Sequence, residues 1–134
     1  MSTGSSIIHV FVADDSRPIR ERVRALLTEA GMHVDGEAAT PQACIDAILS
    51  SRPDVVVLDV QLEGGTGLQV LRAVRAAAPG IAFVVFSNNS DPPYRSRYLG
   101  EGAVAFLDKS SESDQLARAV QSACGPQLRR TAPD

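Results

Sequence analysis

The 134-residue chain has a single lysine beside twelve arginines, only two cysteines, and no apolar run of membrane-spanning length. A bilayer-crossing helix needs about 20 predominantly apolar residues, so that reading is excluded. Cys44 and Cys124 match no metal-ligand spacing and fall in helical patterns, so they read as small core residues and not as a disulfide. The segment Met1 to Ser6 lacks the positive charge and long apolar stretch of a secretory signal, and the expected location is the cytoplasm. Positive charge is not in excess either. The formal net charge of −3 and pI near 5.3 argue against a basic nucleic-acid-binding face. Arg17, Arg20, Arg22 and Arg24 cluster, but Glu21 and Glu29 interrupt them, which predicts a solvated helix face. No repeat and no linker is evident. The expected organisation is a flexible N-terminus at 1–6, one domain at 7–124, and a flexible tail at 125–134.

What is present is a fivefold alternation of strand-type and helix-type patterns. Residues 7–13 form a β-rich run. Ser16 then reads as an N-cap with Pro18 tolerated in the first turn, and Ile19, Val23, Leu26, Leu27 and Ala30 mark one helical face that Gly31 ends. Residues 32–38 make a weaker strand. Thr40-Pro41 opens a second helix whose Ile45, Ile48 and Leu49 face inward. The run 54–59 is continuously apolar between two acids, as in a strand buried on both faces. A loop with Gly64 and Gly65, expected to be flexible, leads through Gly67 to a helix carrying Leu68, Leu71 and Val74. Residues 81–86 are the fourth strand, followed by Ser87, and Asp91-Pro92-Pro93 can start the fourth helix. Residues 103–107 are the fifth strand. Ser111 with Asp114 resembles a capping box for a last helix with Leu116, Val120 and Ala123 inside.

Five β-α units of this kind predict an α/β fold: a (βα)5 doubly wound, five-stranded parallel sheet, flavodoxin-like, with strand order 2-1-3-4-5. Right-handed crossovers bring all strand C-termini to one edge. Asp14, Asp15, Asp59, Ser87 and Lys109 then share that edge. Neighbouring carboxylates repel by about 4 kcal/mol at 4 Å and an effective dielectric near 20, so the cluster calls for a cation. Oxygen-only ligands suit Mg²⁺, which accepts one or two carboxylates and a phosphate oxygen. Lys109, a compact point charge, and the Ser87 hydroxyl can face the same phosphate, leaving one carboxylate as nucleophile.

The motifs VADD (12–15), VVVLDV (55–60), Gly67, VVFS (84–87) and AFLDKS (105–110), in this order, resemble the receiver domain of two-component response regulators across residues 7 to about 124. The resemblance implies that Asp59 is the phosphoacceptor. Asp15 and Asp59 would bind Mg²⁺ directly with the backbone carbonyl of Gln61, and Asp14 would act mainly through bound water. Ser87 and Lys109 would hold phosphoryl oxygens, and Phe106 would be the switch aromatic. Asn88 and Asn89 at the pocket mouth can orient water but cannot act as a base. Two positions depart from the family pattern: Glu63 stands where a proline is usual, and Ser110 follows the lysine where a proline in a cis bond is common. A non-proline cis bond costs about 3 kcal/mol, so a trans bond is expected.

The function so implied is a stand-alone phosphoryl-accepting switch, not an enzyme beyond its own phosphorylation and dephosphorylation. A sensor histidine kinase or histidine phosphotransfer protein would supply the phosphoryl group. The fourth helix, fifth strand and fifth helix would face a downstream protein, and a phosphorylation-dependent homodimer is a further expectation; Tyr94 and Tyr98, four residues apart, fit a stripe on that face and plain packing equally well. No direct nucleic-acid or membrane partner is expected. Three other classes fit parts of the pattern. An aspartyl-nucleophile phosphatase needs a second acid where Gln61 stands. A flavin-binding domain would have Asp14 and Asp15 repelling the phosphate. An unphosphorylated docking module would have no use for the acids and the lysine.

Overall fold

The computed structural model describes residues 7–131, with side chains through residue 124; the expected flexible segment 1–6 lies outside the described residues. Strand β1 (His9–Ala13) leads to helix α1 (Arg17–Glu29), then β2 (His33–Ala38) and α2 (Pro41–Ser51). Strand β3 (Val55–Leu58) is followed by a short ribbon of β4 (Gln61–Leu62) and β5 (Gly65–Thr66), then α3 (Gly67–Ala77). Strand β6 (Ala82–Ser87), α4 (Pro92–Gly100), β7 (Ala105–Asp108), a 3₁₀ turn (Ser113–Gln115) and α5 (Leu116–Thr131) complete the chain. The main sheet is parallel throughout in the order β2-β1-β3-β6-β7. With the β4–β5 ribbon set aside, this is the expected 2-1-3-4-5 order.

The continuous apolar runs follow from burial on both faces. Alternate residues of a strand point to opposite sides, so a strand covered on both sides has no polar position. Phe11, Val56, Leu58, Phe83 and Val85 pack with Ile48 of α2, Val70 and Leu71 of α3, and Tyr98 of α4. Val10, Val12, Val55, Val57, Val84 and Phe86 pack on the other face with Val23 and Leu27 of α1 and Leu116 and Val120 of α5. Edge strand β2 is mostly half-buried, which accounts for its weak pattern. Cys44 and Cys124 are both free and buried, one in each layer.

The expected caps form at two helices. The Ser16 hydroxyl accepts from the Ile19 N–H at 3.4 Å, and the Thr40 hydroxyl accepts from the Ala43 N–H at 3.2 Å. The last helix starts differently from expectation. The Asp108 carboxylate accepts the N–H groups of Ser110 and Ser111 and the Ser110 hydroxyl, and the Glu112 carboxylate turns back to the Asp108 N–H at 2.8 Å. Ser111 is thereby drawn into a turn centred on Asp108, and α5 begins only at Leu116 after the 3₁₀ turn. The helix also continues past residue 124 to Thr131. The Gly64-Gly65 loop, expected to be flexible, is an ordered ribbon in which Gly64 takes φ +80°. No cis peptide bond occurs among the described residues, so the Lys109–Ser110 bond is trans.

Gly67 joins this ribbon to the sheet. Its N–H donates to the Val60 carbonyl at 2.8 Å, and an added Cβ would lie 2.1 Å from the Asp59 carbonyl oxygen. That neighbour is strand-end backbone and cannot swing away. Gly67→Ala is therefore expected to lower stability by about 1–3 kcal/mol, the usual cost of overpacking. Urea unfolding checks this, and an unchanged midpoint would show that the start of α3 moves freely relative to β3.

Candidate phosphoryl-acceptor pocket

The parallel strands β1, β3 and β7, with β6 between the last two, end at one edge of the sheet, and each is followed or closed by an acid or amine. Lys109 lies directly after β7, and its Nζ donates to Asp14 Oδ2 at 2.7 Å and to Asp59 Oδ2 at 3.0 Å. The sequence-predicted acids and lysine thus meet at one rim. All three side chains are less than a tenth exposed. The other carboxylate oxygens are also engaged: Asp14 Oδ1 accepts from the Ser16 N–H at 2.9 Å, and Asp59 Oδ1 from the Val60 N–H at 2.7 Å. Asp15 is exposed and completes a triad, in which Asp14, Asp15 and Asp59 each offer an oxygen within 4.8 Å of the others.

Electrostatics sharpen this picture. Burial, the largest influence on Asp14, raises its pKa above the ordinary carboxylate value despite the hydrogen bond from Lys109. Burial also opposes the charge on Lys109, but the hydrogen bond to Asp14 and the charges of Asp59 and Asp14 outweigh it, so the ammonium titrates above its usual value. Lys109 is therefore a fixed cation at neutral pH, and its stabilising contribution is lost only as pH rises through that elevated value. An all-oxygen triad at one open rim fits Mg²⁺, with Asp14, Asp15 and Asp59 the side chains that would hold it. Gln61, whose backbone carbonyl is expected as a further ligand, opens the β4–β5 ribbon two residues after Asp59.

Ser87 ends β6 fully buried, and its hydroxyl accepts from the Asn89 N–H at 3.0 Å. Its carbonyl receives the Lys109 N–H at 3.1 Å, which locks the lysine backbone to the neighbouring strand. Asn88 is exposed and Asn89 half-buried. Phe106 is buried, edge-on to Tyr98 with ring centroids 6.1 Å apart, and the Arg95 guanidinium lies 5.0 Å from its ring centre. Tyr94, by contrast, is exposed, so the expected tyrosine pair divides between core and surface.

Two participants escaped the sequence reading. Arg20, expected on a solvated face, is largely buried; it donates to the Asp14 carbonyl at 2.8 Å and to Glu37 at 2.8 Å. Arg24 holds the other Glu37 oxygen at 2.8 Å while staying exposed, so Glu37 on the half-buried edge strand pairs with two of the four arginines and draws Arg20 inward. Asp108 appears in the sequence only as part of the AFLDKS motif, with no role of its own. The Ser90 hydroxyl, ahead of the other donors around it, holds the Asp108 carboxyl far below the usual range. The signal in the sequence was the serine-rich flank at 110–111, which offers donors to an acid just before it.

Comparison with known proteins agrees with this geometry. A family model for the response regulator receiver domain matches residues 10–121, and the chain belongs to that family. The transcriptional regulatory protein DesR of Bacillus subtilis is 29% identical over 117 residues, covering 87% of this chain and 58% of DesR. The signal receiver domain of the response regulator NarL from Mycobacterium tuberculosis superposes with a TM-score of 0.83 at 30% identity, covering 90% of this chain and 98% of that one. The response regulator domain of Thermotoga maritima CheB, 21% identical, shows the same fold with a TM-score of 0.83 over 90% of this chain and 98% of its own. The chain spans a little over half the length of the curated relatives it matches. Receiver domains are signalling domains that bind Mg²⁺ through acidic residues and interact with histidine kinases and downstream effectors. No described helix is long and apolar enough to cross a membrane.

The ammonium neutralises two buried carboxylates, so its removal is costly. In metal-free buffer at pH 7, Lys109→Met is expected to lower stability by about 3 kcal/mol, as when one partner of a buried ion pair is deleted. Without the cation the acids, already disposed upward at Asp14, take up a proton more readily in the folded state than in the unfolded one. The deficit should therefore shrink as pH falls from 7 toward the ordinary carboxylate range. Urea denaturation across that range measures both effects. A variant as stable as the parent at pH 7 would contradict the assignment.

Proposed function

We propose that this domain is a phosphoryl-accepting switch in which Asp59 is the acceptor, Lys109 and Ser87 hold the transferred group, Asp15 and Asp59 would bind Mg²⁺ directly, and Asp14 would act mainly through bound water. The observation that carries the reading is the single ammonium shared by Asp14 and Asp59 at the sheet edge, with the Ser87 hydroxyl one strand away. When bound, Mg²⁺ supplies charge neutralisation for the phosphoryl oxygens. Every other part of the reaction falls to the chain. The Val60 N–H fixes Asp59 Oδ1, which orients the carboxylate and leaves Oδ2 toward Lys109. A carboxylate oxygen attacks the phosphorus of a phosphohistidine donor; the P–N bond breaks, the acyl phosphate forms, and the imidazole leaves to take up a proton. Lys109 exchanges its Asp59 contact for the new phosphoryl oxygens, keeping its positive charge at the site throughout.

Phosphorylation places further negative charge beside donors that already face it. Ser87 would leave the Asn89 N–H for the phosphoryl group, and because Ser87 pairs with Asp108 across β6 and β7, its shift acts on the strand that carries Phe106. Phe106 is the switch aromatic in this reading, and its buried seat against Tyr98 and Arg95 is one of two discrete packings. The downstream partner then reads the face of α4, β7 and α5. A sensor histidine kinase or histidine phosphotransfer protein is the donor, and Asn88 and Asn89 orient water for slow loss of the group. The Gln61 carbonyl would be the remaining ligand to Mg²⁺.

Mass spectrometry after incubation with acetyl phosphate and Mg²⁺ tests this. One phosphoryl adduct is expected on the parent and none on Asp59→Asn, whose amide cannot act as nucleophile, while circular dichroism of the variant stays native. An adduct on the variant would place the nucleophile elsewhere. No adduct on the parent, with rapid quenching, would overturn the reading.

A further inference from the structure

At the opposite edge of the sheet, where β1 and β2 begin, lies a second constellation that the phosphoryl pocket does not use. The chain has two histidines, His9 and His33, and the parallel register sets them directly opposite each other. Their ring centroids are 5.2 Å apart. Between them stands Asp35. Its Oδ1 lies 2.8 Å from His9 Nδ1 and 3.5 Å from His33 Nε2. We propose that His9, His33 and Asp35 form a binding site for a borderline divalent cation of the Zn²⁺ class, separate from the acidic pocket.

The local backbone explains why the carboxylate is aimed there. Pairing runs from Val10 with Val34 to Phe11 with Gly36, so Asp35 is the extra residue of a bulge. Bulges re-aim side chains and sharpen the local twist. Both histidines stand on anchored backbone. The His9 N–H donates to Asp54 Oδ2 at 2.9 Å, its carbonyl accepts the Asp54 N–H at 2.8 Å, and the His33 N–H donates to the Ile8 carbonyl at 2.9 Å. Only the imidazoles remain free to adjust: their side chains are 49% and 62% exposed, against 14% for Asp35.

The donor geometry suits a tetrahedral ion. One ligand atom from each residue lies within 4.8 Å of the other two. Zinc holds nitrogen and oxygen at about 2.0–2.1 Å, which separates adjacent donors by roughly 3.3 Å. The His33 spacing already meets this, and the His9 hydrogen bond needs to open by about half an ångström, within reach of an exposed ring. Three protein ligands leave a fourth position for water. Ligand type separates the two sites: imidazole nitrogen favours Zn²⁺, Ni²⁺ or Cu²⁺, whereas the oxygen-only triad at the other edge favours Mg²⁺. The strands put roughly 16 Å between them, at about 3.3 Å per residue over β1. An ion here would clamp edge strand β2 to β1, and because it binds the folded chain it would raise the melting temperature.

The test is a zinc chloride titration of the whole chain in saturating Mg²⁺, followed by imidazole NMR, in which only two rings contribute. Both rings should shift together and saturate at one equivalent, with a rise in Tm. His33→Ala at an exposed position and Asp35→Asn, an isosteric change at the half-buried bulge, should weaken the Zn²⁺ affinity read at His9 by at least about tenfold, since even loss of an outer partner of a metal ligand costs that much. Three results would overturn the proposal: rings that do not move, rings that titrate with separate midpoints, or variants that bind zinc as tightly as the parent.

Discussion

The site rests on one buried cation. Asp14 and Asp59 end neighbouring strands of a parallel sheet, and parallel geometry forces their carboxylates toward each other. Lys109 answers that repulsion from the far side of the sheet, reaching across with its flexible stem from the end of β7. An arginine would bring a planar fork where two oxygens on separate strands need a point charge. The single lysine among thirteen basic residues therefore occupies the position where a compact ammonium matters.

Much of this was legible because each clue is local. Continuous valine runs report burial on both faces, Ser16 and Thr40 report helix starts, and the sheet edge follows from five parallel units. What escaped depends on partners distant in sequence. Arg20 and Arg24 look like a solvated face until Glu37, on the next strand, is placed beside them. The late start of α5 was hidden because Ser110 and Ser111 serve Asp108 behind them and not the helix ahead. The order of the β4–β5 ribbon has no sequence signature, since glycines mark turns without saying whether a turn is ordered. The His9, His33 and Asp35 cluster needs both the β1–β2 register and its bulge, and neither has a signature in the sequence.

The sheet carries two chemistries at its two edges. At the strand C-termini, backbone N–H groups fix two buried carboxylates, which share the Lys109 ammonium. At the strand N-termini, exposed imidazoles surround a re-aimed carboxylate. The match covers 58% of DesR and 53–54% of the other curated relatives, so in them the receiver is part of a longer regulator. Phe106 of β7, packed against Tyr98 and Arg95 of α4, ties the strand that precedes Lys109 to that helix.

The shared ammonium can be observed directly because the chain has one lysine. NMR of the ¹⁵N-lysine-labelled domain without metal should show a single ammonium signal, protected from solvent exchange at neutral pH, that moves in both Asp14→Asn and Asp59→Asn. A signal broadened away by exchange, or one indifferent to either substitution, would mean that Lys109 does not join the two acids.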